Sequence, residues 1–323
     1  MQNYLYCFDE NYNKQALCSI NSLLKNTKEE IRIFIIHKNP ESFEKYKSLI
    51  DKKSKLSSLV VYKFDKKNID FPNIEEAHVS EATYYRFFIN EYLPKDIEEV
   101  FYLDADIICN NDPSVHYKNF LLELNKSKHI IAVKTEWKDD FTVDGYHDEF
   151  YRLDLTSKKY FNAGVMLINL NRWRNSNVQE KLIEEQKKLK GKILLWDQDV
   201  LNSFFDGRYL ELDGFLNHNL DIFVSSKIKN TFIKEIDEKI LNKIIFIHYS
   251  GKSKPWSVKG AIHPSSNLYH KNYYELFKKR YHIANNWKML ALTDFLMLIK
   301  NGEMKRVQYK LSYFFIVIRY LFS

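Results

Sequence analysis

FYLDADIICNND, Phe101 to Asp112, sets an apolar run of strand type against two aspartates one residue apart, Asp104 and Asp106, and then a polar turn. Residues i and i+2 of a strand share a face, so both carboxylates are expected to point the same way where the strand leaves the core. Two carboxylates placed so make a pocket for a hard divalent cation. Mg²⁺ or Mn²⁺ bound in this manner keeps positions open for substrate phosphates, which points to a nucleotide diphosphate. An Asp-x-Asp is a weak signal alone, because at average usage a chain of this length holds about one by chance. The surrounding sequence decides.

Upstream, strands and helices alternate. Tyr4 to Phe8 reads as a short buried strand, and Lys14 to Leu24 as a helix with Leu17, Ile20, Leu23 and Leu24 in helical period. Ile31 to His37 (IRIFIIH) reads as a strand, Glu41 to Ile50 as a helix, Leu59 to Phe64 (LVVYKF) as a strand, and Ala82 to Tyr92 as the helix before the aspartate pair. Such alternation predicts an α/β fold, a mostly parallel sheet flanked by helices, with ligands at the carboxyl ends of the strands. Asp9 and Asp104 both fall at such ends. The turn after the first strand, CFDENYN, has no glycine, which argues against a dinucleotide fingerprint and a P-loop.

Composition sets the outer bounds. A chain of 323 residues can bury a sizeable core in one large domain with an appendage, or in two small domains. Cys7, Cys18 and Cys109 are scattered without metal-like spacing, which suits a reducing compartment. The start, MQNYLYCFDE, lacks a basic n-region, and no apolar run reaches the ~18 residues of a membrane span, so a cytoplasmic protein is expected. From Lys271 to Ser323 there are ten Lys plus Arg against three Asp plus Glu, a net +7 that equals the net charge of the whole chain. The basicity belongs to the tail.

Three polar clusters in the second half sit at the edges of apolar segments. KYFNAGVMLINLNRWR, Lys159 to Arg174, reads as a buried strand with Asn162 at its start and Trp173 at its end. LLWDQDVLNSFF, Leu194 to Phe205, opens a helix with Asp197, Gln198 and Asp199, where first-turn aspartates also suit capping. IIFIHYSGKSKPW, Ile244 to Trp256, is a strand ending in His248, followed by a loop in which Gly251 and Lys254 suit a diphosphate. On its own, His248 reads more readily as a structural histidine.

The ordered set FDENY (8 to 12), TYYR (83 to 86), LDAD (103 to 106), YFNAGVMLINLNRWR (160 to 174), WDQDVLN (196 to 202) and HYSGKSKPW (248 to 256) resembles glycosyltransferase family 8 over roughly residues 1 to 260. That family comprises retaining enzymes such as glycogenin and the bacterial lipopolysaccharide α-galactosyl- and α-glucosyltransferases, and the motifs are most similar to those of the lipopolysaccharide galactosyltransferases. The resemblance implies a GT-A type, Rossmann-like sheet in a catalytic domain over 1 to 260, and transfer of galactose or glucose from UDP-galactose or UDP-glucose to an oligosaccharide or glycolipid acceptor. It also implies that Asp104, Asp106 and His248 bind Mn²⁺, with Mg²⁺ as the substitute. Asp9, Asn11 and the Val79 backbone match uridine positions, Ala105 the ribose, Gly251 and Lys254 the diphosphate. Arg86, Asn162, Ala163, Asp197 and Gln198 match positions around the donor hexose, and Tyr12 and His78 the acceptor. Glu10 stands where close relatives often have Asp, and Ser250 follows the His-Tyr pair where other residues occur; neither touches the expected metal ligands.

Competing readings have specific weaknesses. A haloacid-dehalogenase-type phosphatase carries its Asp-x-Asp after the first strand, whereas here the pair follows about a hundred residues. A catalytically silent nucleotide-sugar-binding relative is disfavoured by intact Asp104, Asp106, Asp197 and His248. Nucleic-acid binding by the tail fits poorly with its apolar content. Residues 261 to 323 are instead expected to form a basic helical appendage, with Met289, Leu292, Leu296 and Ile299 as a stripe and Lys305, Arg306, Lys310 and Arg319 around the apolar run from Tyr313 to Ile318. That suits peripheral attachment to the anionic inner face of the cell membrane.

Overall fold

The computed structural model describes residues 1–66, 69, 71–72, 80–138, 148–220, 238–251, 254–285 and 287–323. In chain order, the first half holds β1 (Gln2–Phe8), α1 (Asn13–Asn26), β2 (Ile31–His37), α2 (Pro40–Lys47), β3 (Leu56–Lys63), α3 (Ile89–Tyr92), β4 (Glu99–Leu103), β5 (Ile107–Cys109), α4 (Ser114–Lys126) and β6 (Ile131–Lys138). After these come α5 (Glu149–Arg152), β7 (Lys159–Asn169), α6 (Leu170–Asn175), α7 (Val178–Lys188), α8 (Trp196–Phe205), β8 (Leu210–Glu211), β9 (His218–Asn219), α9 (Glu238–Leu241), β10 (Phe246–His248), α10 (Asn267–Phe277), α11 (Lys288–Lys300) and α12 (Lys310–Phe322).

A seven-stranded sheet has the order β3-β2-β1-β4-β7-β6-β8. The β3-β2-β1-β4 half is parallel, β7 runs antiparallel to both β4 and β6, and β8 is parallel to β6. The result is the expected α/β architecture, with a mixed sheet. Tyr4, Tyr6 and Phe8 pack on one side of β1, Leu5 and Cys7 on the other. Burial of both faces explains why the central strands read as continuous apolar runs.

Strand order reverses between β1 and β4, the point where open α/β sheets place their ligands. Antiparallel β7 supplies the rest: with Leu103 opposite Val165, the start of β7 lies beside the end of β4. A second sheet, β5-β10-β9, projects from this edge and aligns His248 with Ile107.

Several local expectations need correction. Asp104 and Asp106 are not on a strand; β4 stops at Leu103 and the pair occupies the turn into β5. The segment Glu81–Phe88 is a 3₁₀ helix capped by Ser80, and only Ile89–Tyr92 is α-helical. Trp173 lies on α6 rather than a strand, because Asn169 ends β7 and its side chain accepts from the Arg172 N–H.

The C-terminal helices close a core of their own. Ala291, Phe295 and Leu298 of α11 and Tyr313 and Val317 of α12 pack with Val258, Ala261, Ile262, Tyr281 and Ile283. The Tyr313 hydroxyl donates to Val258 O at 2.7 Å, and Lys259 pairs with Asp294 at 2.7 Å. Among the described residues no helix is long and apolar enough to cross a membrane.

Candidate active site

The turn after β4 is pinned at both ends. Asp104 N–H donates to Gly164 O at 2.8 Å, and Ile107 N–H to Asp104 O at 3.3 Å. With β10 paired to β5, this brings ligand atoms of Asp104, Asp106 and His248 within 4.8 Å of one another. His248 Nε2 lies 3.2 Å from Asp106 Oδ1 and 3.9 Å from Asp104 Oδ2. Lys254 Nζ stands 2.6 Å from Asp106 Oδ2 and donates to Tyr249 O.

Burial alone would raise the Asp106 carboxyl, but Lys254 and His248 hold it well below the usual carboxylate range. Burial works against the His248 imidazolium, yet Asp106 carries it above the ordinary histidine value. Asp106 Oδ1 is buried and faces His248 Nε2 at 3.2 Å. Two carboxylates and an imidazole around a buried acceptor fit a divalent ion, and the nitrogen donor suits Mn²⁺ better than Mg²⁺.

The opposite wall is organised by Arg86, which the 3₁₀ segment carries into the interior. Its guanidinium donates to Ala163 O (2.6 Å), Thr83 O (2.9 Å) and Asp104 Oδ1 (2.9 Å), and its Nε lies 2.9 Å from Asp197 Oδ2. The Tyr102 ring lies beneath it, 4.0 Å away, while the Tyr102 hydroxyl donates to Asp104 Oδ1. Asp197 Oδ1 accepts from Thr83, and burial pushes the Asp197 carboxyl up to about 6 against the pull of Arg86. Gln198 is held by Ala163 N–H, which donates to its Oε1 (2.9 Å), and by its own donation to the Tyr160 hydroxyl. Asn162 donates to Glu136 and accepts from Gly164 N–H and Asn217.

These walls enclose one cavity of about 440 Å³. Of the residues expected from sequence, Arg86, Asp104, Ala105, Asp106, Asn162, Ala163, Asp197, Gln198, His248, Gly251, Lys254 and Tyr12 line it together. Asp9 and Asn11 follow β1 at the same sheet edge without lining it; Asp9 Oδ1 accepts from Asn11 N–H at 2.9 Å. His78 and Val79 lie outside the described residues.

Sequence reasoning did not anticipate Asn217, Tyr102, Thr83, Glu136 or Tyr160. Thr83 and Tyr102 were within reach, since both flank motif residues in TYYR and FYLDAD. Asn217 sits in FLNHN, which carries no recognisable pattern.

Comparison with known proteins gives the family and the fold. The model of glycosyl transferase family 8 matches residues 3–260. A lipopolysaccharide 1,3-galactosyltransferase of Salmonella typhimurium is 29% identical over 270 residues, covering 80% of this chain and 74% of that protein. A lipopolysaccharide 1,2-glucosyltransferase of Escherichia coli K12 is 26% identical over 270 residues, covering 83% and 76%. The galactosyltransferase LgtC, solved with donor and acceptor sugar analogs, shares the fold: the TM-score is 0.67 at 19% identity, over 85% of this chain and 96% of that one. The family match spans most of the chain, including every element that builds the cavity, and the chain belongs to glycosyltransferase family 8.

Proposed function

We propose that this protein is a retaining, metal-dependent hexosyltransferase that moves galactose or glucose from a UDP-sugar to a saccharide acceptor with α linkage, in the synthesis of lipopolysaccharide or another cell-surface polysaccharide. One observation carries the reading: an Asp-Asp-His trio able to hold a divalent ion, with an adjacent ammonium, faces a carboxylate-and-amide wall across a single cavity.

Mn²⁺ held by Asp104, Asp106 and His248 would neutralise charge on the departing diphosphate. Lys254 brings a second positive charge to the same side. The hexose, which becomes electron-poor as its bond to UDP breaks, meets Asp197, Asn162 and Gln198. Asp197 is held by Arg86 and Thr83, and the Gln198 carbonyl by Ala163 N–H. An amide is a poor nucleophile, so this wall favours front-face substitution with a diphosphate oxygen taking the acceptor proton. Asp9, Asn11, the Val79 backbone and Ala105 are assigned to the nucleoside, Gly251 to the diphosphate, and Tyr12 and His78 to the acceptor.

The outward face of α11 and α12 is assigned to an anionic membrane that presents a glycolipid acceptor at the cytoplasmic surface. Met289, Leu296, Leu311, Phe315 and Phe322 are exposed there beside exposed Lys305, Arg306, Lys310 and Arg319.

Incubation with Mn²⁺ and a panel of UDP-hexoses, with UDP release as the readout, tests the reading. Release with one hexose, its loss in EDTA, and an α coupling constant at the anomeric proton of the product are expected. Binding of UDP-hexoses without UDP release would make the chain a silent nucleotide-sugar-binding relative.

A further inference from the structure

A neutral imidazole can hold a metal only through the nitrogen that lacks a proton, and the other nitrogen's hydrogen bond decides which one that is. We propose that a chain of hydrogen bonds beginning at the Gly164 backbone N–H and passing through Asn162 and Asn217 fixes His248 as the Nδ1–H tautomer, aiming its Nε2 lone pair between Asp104 and Asp106. The inference rests on the metal reading above and adds Asn217 as a positioning residue.

Each link follows from the one before. The Gly164 N–H can only donate, so the Asn162 atom 2.9 Å from it is the carbonyl oxygen, Oδ1. The other end of Asn162 is then its NH₂ group, which lies 3.0 Å from the acceptor Glu136 Oε2. The same Asn162 oxygen is 3.0 Å from the side-chain amide of Asn217; two oxygens cannot bond, so Asn217 presents its NH₂ group there. Asn217 Oδ1 therefore turns to His248, 3.1 Å from Nδ1, and an acceptor oxygen requires the proton on Nδ1. Nε2 is left as the lone-pair nitrogen, facing Asp106 Oδ1 and Asp104 Oδ2.

Burial gives the chain its force. Asn217 is fully buried, and Asn162 and His248 are nearly so, so water cannot replace a lost partner. Placing the proton on Nε2 alone would give Asp106 Oδ1 a donor at 3.2 Å but leave Nδ1 as an acceptor and require both amides to turn over, which would set an NH₂ group against the Gly164 N–H. The backbone around Asn217 is also held: Lys134 Nζ donates to its carbonyl at 3.0 Å, and β9, which follows it, pairs in parallel with β10.

The test uses the full chain with ¹⁵N-labelled histidine, the His248 signals assigned by comparison with His248→Gln. In the metal-free wild type, at a pH where the ring is neutral, the nitrogen shifts should show the Nδ1–H tautomer. Titrated with Mn²⁺ alone and followed by electron paramagnetic resonance, Asn217→Leu should bind roughly 10- to 100-fold more weakly. Asn217→Asp keeps an acceptor for Nδ1–H but sets its second oxygen against Asn162 Oδ1, so it should lose Mn²⁺ affinity but clearly less than Asn217→Leu. An Nε2–H tautomer in the wild type, undiminished Mn²⁺ binding by Asn217→Leu, or equal losses in the two variants would overturn the inference. If Asn217→Leu does not fold, the wild-type tautomer still decides. The tautomer is read without metal or sugar, so a chain that binds no Mn²⁺ or transfers no hexose would refute the functional reading while leaving this one answerable.

Discussion

At Gly164 a methyl group would collide with His248 Cε1 and stand 2.9 Å from Asp104 Oδ2, while the backbone carbonyl of the same residue holds the Asp104 N–H. Gly164→Ala should therefore weaken Mn²⁺ binding at least ~10-fold, and cost about 1–3 kcal/mol of stability as the packed neighbours move; a Mn²⁺ titration and a urea curve read the two effects. Asp197 answers differently. Burial raises its carboxyl to about 6, so the fold favours the neutral form: its contribution to stability is present in acid and is lost as pH rises through that value. Asp197→Asn should thus leave the melting temperature unchanged or higher at pH 7.5, since Arg86 keeps Asp104, Ala163 O and Thr83 O, while kcat falls at least ~100-fold through loss of the charge facing the hexose. Wild-type turnover should decline as pH drops through about 6, and unchanged kcat in Asp197→Asn would remove Asp197 from the site. Asp104, Asp106, His248, Lys254 and Asp197 could be picked out before folding because each sits in a dense motif. The collision at Gly164 and the amide pair at Asn162 and Asn217 could not, because both exist only once β4, β7 and β10 lie side by side.

Helix α8 shows the same division among elements. Position in the first turn suits both aspartates to capping, and the family resemblance singles out Asp197 for the hexose. The structure separates them: Asp199 accepts from Leu194 N–H (2.7 Å), Leu195 N–H (2.8 Å), the Tyr160 hydroxyl (2.7 Å) and Arg152 (2.6 Å), whereas Asp197 turns to the cavity. Immediately before Asp197 stands Trp196, with a left-handed φ of 49°, and Asp199 clamps the turn that leads into it through Leu194 N–H and Leu195 N–H. Asp199→Ala should cost about 3–5 kcal/mol in urea denaturation, since it leaves Arg152, a hydroxyl and two N–H groups without their acceptor. A loss under ~1 kcal/mol would mean that water fills the gap. The parallel strands β1, β2 and β4 are legible because sheet burial on both faces makes them continuous apolar runs. The two- and three-residue strands β5, β8, β9 and β10 are too short to show a period, and β6 ends in the polar KTEWK, so none but β10 stands out. The aspartate pair illustrates the cost of reading period alone: a turn, not a strand face, brings its carboxylates together.

On the scale of the whole molecule, the surplus charge and a run of exposed apolar side chains fall in the same C-terminal segment. The stripe Met289, Leu292, Leu296 and Ile299 is the exposed side of α11, and Leu311, Phe314, Phe315 and Phe322 are exposed on α12. Each helix is roughly 20 Å long at 1.5 Å per residue, suited to lying in an interface rather than crossing it. The inward sides of both helices share a core with Val258, Ala261 and Ile262, only a few residues beyond Lys254. Removing residues 287–323 would strip that core, so truncation should lower the melting temperature and UDP-hexose hydrolysis together and cannot isolate membrane binding. Surface variants can. Lys305, Arg306 and Lys310 are exposed, and a cation near an anionic leaflet contributes about 1 kcal/mol. Reversing all three to Glu should reduce co-sedimentation with phosphatidylserine-containing liposomes more than ~100-fold, while the wild type releases from the same liposomes as salt rises. Leu311→Glu with Phe315→Glu should lower binding at every salt concentration, because it removes the apolar contribution. In both variants UDP release in the absence of liposomes should match wild type, as none of these side chains lines the cavity. Liposome binding unaffected by either variant would assign this face to something other than a membrane.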